Sequence, residues 1–270
     1  MQVHVVTRVA ALLRLLAANN RTGLRLVDIL GLVDIERSTA HRLLQSLIAE
    51  GLVFQDHESK RYFLGMAMYE MGVAVPALNL RDVCQPYVMS VARETGDTVF
   101  LTVRSGFNGI CVDRKEGGAP IAFVQEAGRS RPLTVGAGGL AILCALDARE
   151  VARIRAENLP RVAQRYPGYA EKEIDARLAA GRKQGYVLTD VLEKPGIKAL
   201  GMCLRDENRR PIAAISLSAL ATKWSDHRLA RVLELLRETV DSLEASVDLA
   251  SVTSKKHPGA PGDPGSVSSY

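Results

Sequence analysis

The sequence predicts an α+β protein: an N-terminal winged helix-turn-helix, a linker helix and a larger mixed domain. Three observations lead there. Three short apolar-periodic stretches and a pair of strand-like stretches around a polar turn fill residues 1–65. Helical and strand-like segments then interleave as far as Leu220. A long amphipathic helix follows them. A length of 270 residues favours two domains rather than one.

The elements follow in order. Thr7 is placed to cap a helix whose Val9, Leu12, Leu13 and Leu16 repeat at helical spacing, and Asn19-Asn20-Arg21-Thr22-Gly23 should end it. A second helix spans Leu26–Leu32. A third contains Ala40, Leu43, Leu44, Leu47 and Ile48 as one apolar stripe and stops at Gly51, the residue suited to a left-handed C-cap. Leu52–Gln55 and Arg61–Leu64 read as strands joined by the turn Asp56-His57-Glu58-Ser59-Lys60. From Gly65 to about Leu78 a helix ending near Pro76 carries Met66, Tyr69, Met71, Val73 and Val75, more apolar surface than a tether needs, which suggests contact with another subunit. The mixed domain opens near Arg81 with a helix from Val83 to Glu94. Strands are expected at Thr98–Arg104, Gly109–Arg114, Ile121–Gln125, Tyr186–Thr189, Ala199–Arg205 and Ile212–Leu220. Helices are expected at Gly138–Leu146, Ala148–Asn158 and Glu171–Gln184. In the last helix Leu229, Leu233, Leu236, Val240, Leu243 and Val247 form the inner face. The boundaries drawn are 1–65 for the winged helix-turn-helix, 66–80 for the linker helix, 81–250 for the second, mixed domain and 251–270 for a Ser-, Gly-, Pro- and Lys-rich disordered tail.

Composition excludes several classes. Hydrophobic residues make up 47% and aromatics only 5%, so there is ample aliphatic material for two cores. No apolar run is long enough for a membrane span, and the start lacks the pattern of a signal peptide. The four cysteines, Cys84, Cys111, Cys144 and Cys203, are scattered without a CxxC pair, which points to reduced core residues in a cytoplasmic protein and to neither metal nor disulfide. The net charge of +5 favours an anionic partner, but residues 1–80 hold eight Lys/Arg against seven Asp/Glu, so bulk charge does not locate it.

Position does. Ser38, His41, Arg42 and Gln45 fall at i, i+3, i+4 and i+7 on the polar side of the third helix, and none is acidic. A merely solvated helix usually mixes Glu with Lys, whereas one entering a phosphate-lined groove has reason to exclude carboxylates. Arg42 is the leading candidate for a base contact or a central phosphate, because its guanidinium can pair bidentately with guanine. Arg37, Ser38, Thr39, His41 and Gln45 are candidates for phosphate anchoring or secondary base reading; Ser38 and Thr39 would serve equally as helix caps. Lys60 and Arg61 fit backbone contacts from the wing, or an ordinary charged turn. A dimer would set two such helices about 34 Å apart, or a multiple of it, on a palindromic double-stranded operator.

In the second domain, Gly136-Ala137-Gly138-Gly139 precedes a helix starting near Leu140, so unobstructed backbone N–H groups and the helix dipole could receive a carboxylate. A tight packing turn is the plainer alternative. No Lys-Ser/Thr follows the glycines, so this is not a nucleotide P-loop. Ser216 and Ser218 share one face of an otherwise aliphatic strand and need partners if buried.

The chain resembles the IclR family of bacterial transcription regulators over roughly residues 5 to 249. The resemblance is carried by Arg37-Ser38-Thr39-Ala40-His41-Arg42-Leu43-Leu44-Gln45, Glu50-Gly51-Leu52-Val53 and Arg61-Tyr62-Phe63-Leu64-Gly65. It continues through Glu94-Thr95-Gly96-Asp97-Thr98, Asp113-Arg114, Arg131 to Gly138, Gly185-Tyr186-Val187-Leu188 and Pro211 to Ser218. It implies a dimer or tetramer with a C-terminal GAF-like effector-binding domain, in control of a catabolic operon. It also implies that Ser216 and Ser218 bind effector, with Asp190 lining the same pocket and Thr189 as the neighbouring possibility one residue away. Gly136 and Ala137 supply the amides. Leu133, with Ile121 and Phe123, supplies apolar lining, and relatives often carry Cys or Ser where Ala199 stands. Together these point to a small, partly hydrophobic organic acid, aromatic acids among the candidates.

Two rivals stand beside this reading. No HExxH, GxSxG or GxxxxGKS/T motif is present and the five histidines lie apart, so no enzyme and no cofactor are expected. The second rival is a DNA-binding regulator whose C-terminal domain only oligomerises and binds no small molecule.

Overall fold

The computed structural model describes residues 4–118, 125–166, 169, 171–246 and 249. The chain divides into two compact units, Met1–Val75 and Pro76–Tyr270.

The first unit is a winged helix-turn-helix followed by a short helix. Its elements are α1 (His4–Ala18), α2 (Leu26–Leu32), α3 (Arg37–Ala49), β1 (Val53–Gln55), β2 (Tyr62–Leu64) and α4 (Met66–Val73). Leu12, Leu16, Ile29, Leu44, Leu47 and Val53 close its core. Each such aliphatic side chain contributes about 1.5–3 kcal/mol through burial. Helix α1 starts at His4, so Thr7 lies inside it and caps nothing; nothing in Val5-Val6 breaks the helix. At the entry to α2, Asp28 reaches back to accept from the Arg25 amide at 2.9 Å. Helix α3 ends as expected at Gly51, where φ is +68°. The Leu52 amide donates to Leu47 and the Gly51 amide to Ile48, which satisfies two of the orphan carbonyls of the last turn. Gly23 also sits at positive φ, and a Cβ there would meet the Phe63 ring at 2.4 Å. The hairpin therefore packs tightly against the α1–α2 turn.

The expected single helix from Gly65 to about Leu78 is instead two. Helix α4 ends at Val73 and α5 (Pro76–Thr95) begins at Pro76, a residue suited to a first helical turn rather than to an end. The helix expected from Val83 thus starts earlier, and it continues through Pro86.

The second unit adds β3 (Thr98–Ser105), β4 (Asn108–Glu116), β5 (Ser130–Pro132), α6 (Ala137–Ala145), α7 (Ala148–Arg165), α8 (Glu171–Gln184), β6 (Val187–Asp190), β7 (Ile197–Arg205), β8 (Pro211–Leu220) and α9 (Asp226–Glu244). The strands form one antiparallel sheet in the order β5-β4-β3-β8-β7-β6. One face packs on α5 and α9 through Leu101, Leu200, Leu204, Ile215 and Leu217. The other packs on α6, α7 and α8 through Leu140, Ile142, Ile154, Ile174 and Val187. Fully buried Asp97, at the start of β3, pairs with Lys223 at 3.2 Å and Arg228 at 2.5 Å, which ties that corner to the start of α9.

Helix α7 outruns its expected end at Asn158 and passes Pro160. Asn158 is fully buried and donates to the Phe107 carbonyl at 2.8 Å, so tertiary anchoring outweighs the one amide that proline removes. Strand β5 was not anticipated, since Ser130-Arg131-Pro132 has no apolar alternation. Most of the expected strand Ile121–Gln125, with Ile121 and Phe123, lies outside the described residues, as do Val247 and the tail 251–270. Among the described residues no helix is long and apolar enough to cross a membrane.

Candidate functional site

Two regions carry the residues singled out from sequence, one in each unit. In the first, Ala40, Leu44 and Leu47 pin α3 into the core, which turns the opposite side outward. Arg37, Ser38, His41, Arg42 and Gln45 are all exposed there, and Thr39 is half-buried beside them. Arg37, Ser38, His41 and Arg42 border one broad hollow together with Leu26. Among the described residues none of these polar side chains makes a hydrogen bond or ion pair. The N-cap of α3 is Glu36, without a side-chain cap bond, so Ser38 and Thr39 lie inside the first turn and cap nothing. Their hydroxyls and the first amides of α3 remain available to an anion.

The wing holds Lys60 and Arg61 differently. Lys60 is exposed with φ of +56° at the end of the turn. That turn is fastened by Asp56, which accepts from the Ser59 amide at 2.7 Å and from the Ser59 hydroxyl at 2.5 Å. These bonds, the hydroxyl's first, hold the Asp56 carboxyl below its ordinary pKa. Arg61 is half-buried, and its guanidinium donates to the Gly23 carbonyl at 2.9 Å. It braces the hairpin against the α1–α2 turn, with its remaining donors left for other partners.

In the second unit, a small cavity lies between the N-terminal turn of α6 and the sheet. Gly136 takes φ of +81° as the N-cap of α6 and offers no capping side chain. The α6 backbone approaches the sheet closely: a Cβ on Gly201 would sit 2.6 Å from the Ala137 carbonyl oxygen. Ser216 and Ser218 of β8 and Thr102 of β3 border the cavity beside Gly136 and Ala137. All three are at least nine-tenths buried. Their hydroxyls make no hydrogen bond among the described residues, and none of them is sealed off, so each keeps surface that a water or a polar guest in the cavity can reach. The cavity measures about 30 Å³, room for roughly one water.

Two sequence expectations fail here. Asp190 is exposed and does not border the cavity. On β6 it follows Thr189, which pairs with Ala199, itself paired with Ser218, so the pleat turns Asp190 away and Thr189 holds the face toward α6, although Thr189 does not border the cavity either. Leu133 is fully buried in the core under α6 and does not reach the cavity wall. The sequence reading also missed Phe100, Thr102 and above all Arg131, which borders the cavity beside Gly136. Burial pushes the nearby Cys111 thiol up to about 12, against an opposing pull from Arg131. Among the described residues no group of His, Cys, Asp and Glu could hold a metal ion.

Comparison with known proteins bears on both regions. Residues 5–57 match the family model described as the IclR helix-turn-helix domain, and residues 73–245 match Bacterial transcriptional regulator IclR C-terminal. The chain is 28% identical over 224 residues to the HTH-type transcriptional regulator XynR of Escherichia coli, covering 80% of this chain and 86% of that protein. It is 26% identical over 231 residues to the transcriptional repressor IclR of the same organism, covering 84% of each. In fold it is similar to an IclR homolog from Microbacterium hydrocarbonoxydans complexed with 4-hydroxybenzoate. There the TM-score is 0.76 at 22% identity, covering 92% of this chain and 99% of the other.

Proposed function

Since the chain belongs to the IclR family of bacterial transcription regulators, and is a regulator rather than an enzyme, we propose that it binds a palindromic operator through paired α3 helices and answers to a small organic acid. Residues 1–65 are the DNA-binding part, 66–80 the linker and 81–250 the effector-binding part of a cytoplasmic regulator of a catabolic operon. The observation that carries the DNA reading is the exposed, carboxylate-free face of α3 around Arg42. Self-association as a dimer or tetramer is supported by α4, which buries no residue and leaves Met66, Tyr69, Met71 and Val73 more than half exposed.

For the effector, the amide end of α6 and the unpartnered hydroxyls of Thr102, Ser216 and Ser218 support a carboxylate seat. The solved complex with 4-hydroxybenzoate makes aromatic acids the first to try. One observation favours the second reading, in which the C-terminal domain only oligomerises: a cavity of about 30 Å³ does not admit an aromatic acid without rearrangement.

Selection of bound fragments from random duplex DNA, with and without candidate acids, tests the first reading. On the selected operator Arg42→Ala should cost about 1–3 kcal/mol and relax specificity. Lys60→Ala should weaken every duplex alike and lower the salt slope by about one. Equal losses from Arg42→Ala on any duplex would overturn its base-reading role.

A further inference from the structure

Resting on the effector reading of the cavity, we infer that Arg131 is its charge-reading residue, and that Glu193 is the counter-ion an incoming carboxylate displaces. The α6 amides and the three hydroxyls are neutral and would receive an acid, an amide or a sugar. Among the described residues Arg131 is the one charged side chain that borders the inner cavity. It is largely buried, with 13% of the side chain exposed, and its Nη1 lies 3.2 Å from where a Cβ on Gly136 would stand. The guanidinium therefore lies along the first turn of α6, where a carboxylate held by the amides would be within its reach.

Of its partners, Glu193 is loosely held. Arg131 Nη1 and Glu193 Oε2 are 3.7 Å apart, beyond hydrogen-bond length, and Glu193 is about one-third exposed. A carboxylate that meets the guanidinium at hydrogen-bond distance replaces the loose, partly solvated contact with Glu193 by a charge-assisted hydrogen bond.

Arg131 also stands in a wall. Beside it lies an open cleft of about 370 Å³, bordered by the same Arg131 and Gln125, by Arg129 and Arg165, and by Glu126 and Glu193. The inner cavity alone is too small for any acid beyond the smallest. Drawing Arg131 from Glu193 onto the ligand would join the two spaces, and the three arginines of the cleft, set against Glu126 and Glu193, leave a net positive entrance for an anion. The site so described takes a fully ionised carboxylic acid and discriminates against its neutral isostere.

Calorimetry on the full chain tests this with benzoate, 4-hydroxybenzoate and succinate, each beside its amide. At least one acid should bind about tenfold or more tighter than its amide, the worth of one charge-assisted hydrogen bond. Arg131→Gln should erase that preference, Arg131→Lys should keep part of it, and Glu193→Gln should raise acid affinity several-fold. Retained acid preference in Arg131→Gln, or a loss in Glu193→Gln as large as that in Arg131→Gln, would overturn the inference while leaving the effector reading intact. If no acid binds the native protein, the effector reading itself fails and this inference with it. Should Arg131→Gln not fold, Arg131→Lys and Glu193→Gln decide together: the preference for acid over amide should fall in the first and rise in the second, and any other pattern overturns the inference.

Discussion

Gly138→Ala is the sharpest test of whether the cavity under α6 is a binding site. The added Cβ would stand 2.9 Å from Thr102 Oγ1, 3.2 Å from Thr102 Cβ and 3.3 Å from Ser216 Oγ. The first contact can be relieved by rotation; the second involves a branched carbon fixed to a strand and cannot. Overpacking of this kind costs about 1–3 kcal/mol. Against it, alanine is a better helix former than glycine by up to about 1 kcal/mol. The balance runs from near zero to about 3 kcal/mol of destabilisation, which a domain of this size survives. The methyl takes up space comparable to the cavity's roughly 30 Å³ and shields the hydroxyls of Thr102 and Ser216. Urea unfolding should therefore show a cooperative transition close to that of the native chain, while calorimetry with the acid that binds the native chain shows a loss beyond about tenfold. A variant that is folded and binds that acid as tightly as the native chain would refute the placement of the ligand.

Two further predictions concern the fold. Leu44→Ala removes a side chain with no exposed surface from the core beneath α3, so the first unit should lose about 2–5 kcal/mol in a urea melt; a loss below 1 kcal/mol would contradict that core assignment. Burial pushes the thiols of Cys84, Cys111 and Cys203 up to about 12, so in the folded chain they should resist a thiol reagent at pH 8 that labels them once urea is added. Because the folded chain keeps protons that the unfolded chain releases, this stability is complete below about pH 9 and is lost as pH rises from there toward 12; unfolding curves that strengthen over that interval would be the wrong sign.

The parts legible in the sequence are those where local chemistry and tertiary packing agree. Leu26–Leu32, the stripe of α3 and the left-handed Gly51 all follow from spacing and one special residue. What escaped depended on partners far along the chain. Pro160 reads as a helix end until Asn158 is seen donating to Phe107, and β5 becomes a strand only because β4 pairs with it. Asp190 failed through register: a shift of one residue on a strand exchanges the two faces, and Thr189 holds the inward place. The two serines were found because their spacing of two is itself a statement about one face. Arg131 left only a faint mark, a charge shortly before a glycine-rich turn, and nothing in the periodicity says that it looks into a cavity.

Strand β8 has a consequence for how such a protein can change. Its odd positions, Ala213, Ile215 and Leu217, are locked among α5 and α9, while Ser216 and Ser218 look toward α6. On the effector reading, substitutions at Ser216 and Ser218 can therefore change what the cavity accepts without disturbing the opposite layer. A single insertion or deletion within the strand would swap hydroxyls for aliphatics on both sides at once. Divergence in ligand taste within this architecture should proceed by exchanging letters along β8, never by changing its length.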